Sequence, residues 1–218
     1  MPEANWSHRV QDALAAGNPR VAEKVLLELV ARVPARWKAV DRDPEGVYTL
    51  SLWDEEELGC WLRHHPGATT RRKPDSFSFA YFCLANLADR RGDERAALHF
   101  LDCALDLEPD HPLLWARKGA WLIEEGRLHE AMNCFEKAEG IRPWAPPHQR
   151  AWILREKAFV LVEFGQLNEA ERTLHQSLEL EPDHEAALLE LEAIAALRRR
   201  GSGQPLWFAP RFAHAARN

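Results

Sequence analysis

Gly92, Gly126 and Gly165 open three segments written in one frame: GDERAALHFLDCALDLEPDH, GRLHEAMNCFEKAEGIRPWA and GQLNEAERTLHQSLELEPDH. The first two glycines are 34 residues apart and the next two 39, the longer interval holding five extra residues around APPHQ. A period of this length constrains the chain more than any other feature, because one such unit cannot bury its apolar face alone and must stack on its neighbours. After each glycine comes a small residue (Ala97, Ala131, Ala170), then a large one (Leu101, Phe135, Leu174), then another small one (Ala104, Ala138, Ser177). Pro109, Pro143 and Pro182 follow, where the ring and the missing N–H stop a helix. Upstream, Tyr81, Trp115 and Leu154 precede the glycines by eleven residues, and Ala85, Gly119 and Ala158 by seven. The unit therefore reads as helix, glycine turn, helix, proline stop.

This grammar resembles the tetratricopeptide repeat (TPR) over roughly residues 78–184. The resemblance implies an all-α fold, a TPR-like α-solenoid of antiparallel helix pairs with a C-terminal closing helix. The pairs are expected at 78–91/94–108, 112–125/128–141 and 151–164/167–180. Residues 185–200 (EAALLELEAIAALRRR) supply the closing helix, with Glu185 at its start and Arg198, Arg199 and Arg200 at its end in keeping with the helix dipole.

Four segments follow. Residues 1–36 carry a degenerate copy of the pair, in which Trp6, Gly17, Ala22, Leu26 and Pro34 keep the spacing and Leu29 replaces a small residue. Residues 37–77 form a connector with one short helix and a loop. Asp54 caps that helix, Glu55, Glu56 and Glu57 occupy its first turn as a solvated face, and Leu58, Trp61 and Leu62 make its apolar stripe. Residues 47–53 read as a short strand or an extended connector, and 66–76 as a loop. Residues 78–200 hold the three repeats and the closing helix. Residues 201–218 form an aromatic, basic tail, whose Trp207 and Phe208 are expected to fold against the array and regulate its groove, or to cover the closing helix.

Composition narrows the function. With 46% apolar and 28% charged residues the chain is expected to pack a core. No apolar run is long enough for a membrane span, and the N-terminus lacks the pattern of a secretory signal, so the expectation is a cytoplasmic protein with no membrane partner. Cys60, Cys83, Cys103 and Cys134 show no CxxC spacing and are read as reduced thiols. Residues 78–197 carry 12 Lys and Arg against 22 Asp and Glu, and such an acidic body repels a phosphate backbone, which argues against nucleic acid.

Signatures of nucleophilic, zinc-hydrolase and nucleotide chemistry are absent from the sequence. Cys60, His64 and His65 have a spacing that could contribute metal ligands, but no second ligand pair accompanies them, and the two histidines are better read as surface residues at a helix C-terminus. No cofactor, metal or catalytic residue is expected.

The resemblance places the first helix of each pair on the concave side. It implies a groove that includes Phe79, Phe82, Asn86 and Arg90 from the first repeat, Leu113, Arg117 and Ile123 from the second, and Trp152, Arg155 and Phe159 from the third. The groove is aromatic, and buried aromatics dominate binding energy at interfaces. An external peptide or the protein's own flanking segments could fill it. One TPR subclass grips the C-terminal carboxylate of heat-shock chaperones through lysine, asparagine and arginine. Here Asn86 matches, but Phe82, Arg117, Trp152 and Glu156 stand at the other positions, so most of that clamp is missing. The expected function is a non-enzymatic scaffold or adaptor that holds a protein or peptide segment in the groove. The alternative is an inhibitor-type binder, such as an immunity or antitoxin protein, covering a basic partner with its acidic surface.

Overall fold

The three phased glycines adopt φ values of 78°, 74° and 73° at Gly92, Gly126 and Gly165, the left-handed region that glycine enters without a Cβ penalty. Each closes a turn between two helices, so the period seen in the sequence becomes a period of helix hairpins. The computed structural model describes residues 6–200; the expectation about Trp207 and Phe208 lies outside them. Ten helices and a three-stranded sheet account for the described elements. The chain divides into two units, residues 1–114 and 115–218.

The first unit begins with the hairpin α1 (Trp6–Ala15) and α2 (Pro19–Val30). Trp6, Val10 and Ala13 meet Ala22, Val25, Leu26 and Leu29 in a core that also takes Phe77, Ala80 and Leu84 from α4 (Phe77–Arg90). The large Leu29 is thus accommodated in the interior. Ser76 and Asp93 cap α4 and α5 (Glu94–Leu107) by accepting from the Phe79 and Ala96 backbone N–H groups.

Residues 37–77 hold more structure than one helix and a loop. β1 (Val40–Arg42) runs antiparallel to β2 (Tyr48–Leu50), which pairs in parallel with β3 (Thr70–Arg72), and α3 (Glu55–His64) lies in the crossover. β3 falls in the stretch 66–76 read as loop; its sequence Thr-Arg-Arg is exposed at every position, so no apolar alternation announces it. Its backbone pairing with β2 holds it instead.

Asp54 caps α3 as expected, its Oδ1 accepting from the Glu57 N–H at 2.7 Å. Glu55 and Glu56 are exposed, but Glu57 is fully buried, contrary to a solvated triplet. The apolar stripe also differs, since Trp61 is buried and Leu58 half-buried while Leu62 is exposed and Cys60 is buried in its place.

The boundary between the units falls inside α6 (Pro112–Glu124). In the second unit, α6 is followed by α7 (Leu128–Gly140), α8 (Pro147–Glu163), α9 (Leu167–Leu180) and α10 (Glu185–Arg200). α8 starts four residues before the expected 151 because the inserted Pro146 and Pro147 serve as its N-cap and first residue, where a missing N–H costs nothing. Ala116, Phe135, Ala138, Ile153 and Val160 form one core cluster, and Ala158, Leu161, Leu174, Ala187 and Ile194 another. Gly119 is small for a packing reason, since a Cβ there would lie 2.7 Å from Phe135 Cζ. All nine residues of the small-large-small frame are at most 1% exposed. Arg198, in the last turn of α10, is bound to α9, at 2.7 Å from Glu171 Oε2 and from Asn168 Oδ1. All four cysteines are free thiols.

Candidate functional site

α4 presents Phe79 and Phe82 three residues apart, on one helix face. The ring of Trp53, from the segment between β2 and α3, stands 5.0 Å from Phe79 and 4.9 Å from Phe82 and stacks on His111 at 3.7 Å. Its indole N–H donates to Ser78 Oγ and Glu108 Oε2, both at 3.1 Å, and Ser78 Oγ–H donates to the same carboxylate. The Trp53 backbone N–H donates to Glu57 Oε2 at 2.8 Å, while Glu57 Oε1 lies 3.2 Å from His111 Nε2. Ser78, Glu57, Glu108 and His111 are all buried. The chain thus lays one of its own side chains on the two aromatic groove candidates of unit 1. Asn86 and Leu113 are half-buried and Arg90 exposed. Burial drives the Cys83 thiol up to about 12, so it stays protonated.

The second unit is arranged differently. Trp152, Arg155, Glu156 and Phe159 follow one another along α8 at the spacing of a single helix face, and all are half-buried. Trp152, Phe159 and Ile123 rest against the core cluster built on Ala116, Ile153 and Val160. Arg117 stands 5.1 Å from the centre of the Trp121 ring. Arg155 donates to Glu181 Oε2 at 2.6 Å. The Glu156 carboxyl is pushed above its ordinary range chiefly by burial; the Trp152 indole hydrogen bond and the charges of Arg155 and Arg117 work the other way. Glu190 on α10 is pushed up to about 7, first by burial and then by the charge of Glu156, against the pull of Arg155. Trp152, Arg155 and Glu156 on α8 therefore share one electrostatic neighbourhood with Arg117 on α6 and Glu190 on α10.

Cys60, His64 and His65 are turned to other work. Arg63 donates to Cys60 Sγ at 3.0 Å, His65 stacks on Trp61 at 4.0 Å with Nδ1 2.9 Å from the Trp61 carbonyl, and His64 is exposed. Among the described residues no group of three or more His, Cys, Asp and Glu is arranged to hold a metal ion, and no helix is long and apolar enough to cross a membrane.

Sequence reasoning did not single out Trp53, Glu57, Glu108, His111 or Glu190. For Glu108 and His111 a signal existed in the tetrapeptide Glu-Pro-Asp-His, which ends the first repeat at 108–111 and recurs at 181–184. Its first residue is a ligand in both places, Glu108 for Trp53 and Glu181 for Arg155.

A family model of the tetratricopeptide repeat matches residues 122–195, the part of the chain where the glycine frame, the buried small-large-small residues and the helix pairs coincide. The chain has an all-α, TPR-like helical-repeat fold. Solved TPR-like folds extend the likeness over most of its length. PilW, a widely conserved type IV pilus biogenesis factor, is 16% identical with a TM-score of 0.60 over 92% of this chain and 72% of that one. PilF of Pseudomonas aeruginosa is 16% identical with a TM-score of 0.59, covering 90% of this chain and 70% of its own. The MamA RS-1 ArsTM double mutant is 17% identical with a TM-score of 0.54, over 88% and 83%. At these identities the likeness is one of fold. No curated protein sequence matches the chain.

Proposed function

We propose that this TPR-like protein is a scaffold or adaptor and that a partner segment binds along the α6–α8 face of its second unit, on Arg117, Ile123, Trp152, Arg155 and Phe159. Tetratricopeptide repeats generally hold proteins together rather than carry reactions, which supports the general reading. One observation carries the finer one. Trp152 and Phe159 rest half-buried against the core with no ring contact among the described residues, whereas Phe79 and Phe82, equally half-buried, each meet the Trp53 ring. Rigid aromatics seated this way lose little entropy on binding and supply anchors for a ligand. The missing elements of the chaperone clamp favour a ligand other than a C-terminal carboxylate, with Trp152 and Glu156 standing where that chemistry needs cations.

The test is quantitative binding to a partner captured from the native host. Trp152→Ala and Phe159→Ala are each expected to weaken the complex by about 2 kcal/mol, roughly 30-fold, with helical circular dichroism unchanged. Unaltered affinity in both folded variants refutes the α6–α8 face as the site.

A further inference from the structure

Stacking covers one side of the last helix in a repeat array and leaves the other without a neighbouring repeat. In the second unit, α10 sets Ala187, Leu191 and Ile194 into a core with Ala170 and Leu174 of α9, and Arg198, one turn further along the same line, is bound to Glu171 and Asn168. Across the helix from that seam, Leu189, Ala193 and Ala196 follow at the spacing of one face. Leu188 and Leu189 are 45% and 39% exposed, and among the described residues they are the exposed large apolar side chains of this unit, the other five lying in the first. Two adjacent leucines are costly to leave in water, and the small side chains of Ala193 and Ala196 leave room for a ring beside them.

The residues that follow α10 carry what this face lacks. Residues 201–212 read GSGQPLWFAPRF, with Leu206, Trp207, Phe208 and Phe212 placed after two glycines that permit a reversal, and with Pro205 and Pro210 opposing a continued helix. Reach agrees. After a reversal at 201–203, the four residues 204–207 span up to ~13 Å when extended, the rise of about nine helical residues, which brings Trp207 level with the stretch from Leu188 to Ala193. Arg211, four residues on, arrives near the start of α10. Charge agrees as well, since Glu185 and Glu192 are exposed on α10 while residues 201–218 hold Arg211 and Arg217 and no acid. A second copy seated on the same face brings a matching acidic row instead.

We propose that residues 204–212 run back along α10, with Trp207 and Phe208 seated on Leu188 and Leu189 and Arg211 beside Glu185. The chain thereby closes the end of its own array and withholds the two leucines from other copies.

The experiment reads amide exchange in the full chain. Trp207→Ala combined with Phe208→Ala is expected to speed exchange of the α10 amides from Leu188 to Ala193 about 10-fold and to leave α4 of the first unit unchanged. Leu188→Ala combined with Leu189→Ala, at exposed positions, is expected to do the same, and the four changes together are expected to do no more than either pair. Trp207→Phe keeps most of the protection, and Arg217→Ala, beyond the seated stretch, keeps all of it. Wild-type exchange in the Trp207→Ala, Phe208→Ala chain overturns the proposal, as do effects of the two pairs that simply add. Protection of α10 that rises with protein concentration, with a dimer in sedimentation, gives the face to a second copy and overturns it too.

Discussion

Trp53→Ala tests whether the first unit is built around its own indole. The ring sits between Phe79, Phe82 and His111 and donates its N–H to two buried oxygens. Burying a tryptophan removes on the order of 200 Å² from water, worth about 5 kcal/mol at ~25 cal/mol per Å². Partial collapse of the vacated space lowers the cost to the ~3–5 kcal/mol seen for aromatic truncations. Loss of the indole donor beside Glu108 adds about 1 kcal/mol, because Ser78 still bonds to the same carboxylate. The expected loss is therefore roughly 4–5 kcal/mol, a large fraction of a domain's stability.

The assay is urea denaturation with hydrogen exchange read on α4, so that the first unit is followed by itself. A loss of this size moves the midpoint by about 2 M at a typical slope. Two companions separate the contributions. Trp53→Phe keeps most of the stacking and loses the N–H, so it is expected to cost about 2 kcal/mol. Indole added to Trp53→Ala is expected to restore protection, since an aromatic-lined cavity can take up a small aromatic. A Trp53→Ala variant within about 0.5 kcal/mol of wild type refutes the reasoning, because surface residues give values of that size. The indole would then be resting on the helices rather than holding them.

Glu190→Gln is expected to change stability in a pH-dependent way. Its folded pKa of about 7 lies above the ordinary carboxylate value, so the wild-type contribution is present below that ordinary value and is lost as pH rises through about 7. The glutamine variant should therefore match wild type near pH 4 and exceed it by on the order of 2–3 kcal/mol at pH 8, read from denaturation midpoints. Equal pH profiles would show that Glu190 is not desolvated. Gly119→Ala places a methyl into Phe135, fully buried, and is expected to lower stability by about 1–3 kcal/mol in thermal unfolding, although alanine is the better helix former. An unchanged or raised midpoint would show that Phe135 can move aside.

The legible part of the fold is the part carried by periodicity. Ala97, Phe135 and Leu174 recur in one frame because every hairpin makes the same close helix contact, so a residue's size alone reveals its place. Of the sheet only β2 lay in a stretch, 47–53, read as a short strand or extended connector, and the rest was illegible for the converse reason. β3 has three residues, all exposed, and its partner β2 is reached only across α3, so neither alternation nor local turn chemistry marks the pairing. Glu57 was misread for a related reason. A run of three acids at a capped helix start is ordinarily solvated, and only the tertiary placement of Trp53 and His111 turns its third member inward. Glu190 stands in EAALLELEAIAAL among several acids of a helix, and nothing local separates it from exposed Glu192.

Helix position alone likewise does not tell which groove aromatics meet another ring. Family spacing assigns Phe79, Phe82, Trp152 and Phe159 to one class, since it considers only where a residue stands on its helix. What each ring does depends on what the rest of the chain brings to it. Glu108 and Glu181 begin identical tetrapeptides at the end of their repeats, and both direct a carboxylate back toward the first helix of their own pair. At Glu108 the segment between β2 and α3 supplies an indole, which donates to the carboxylate and stands against the α4 aromatics. At Glu181 the partner is Arg155 on α8, a guanidinium in place of an indole. Arg155 also pulls the Glu190 carboxyl down, though burial and the charge of Glu156 outweigh it. One repeated turn thus gives its carboxylate an indole partner in the first unit and a guanidinium partner in the second.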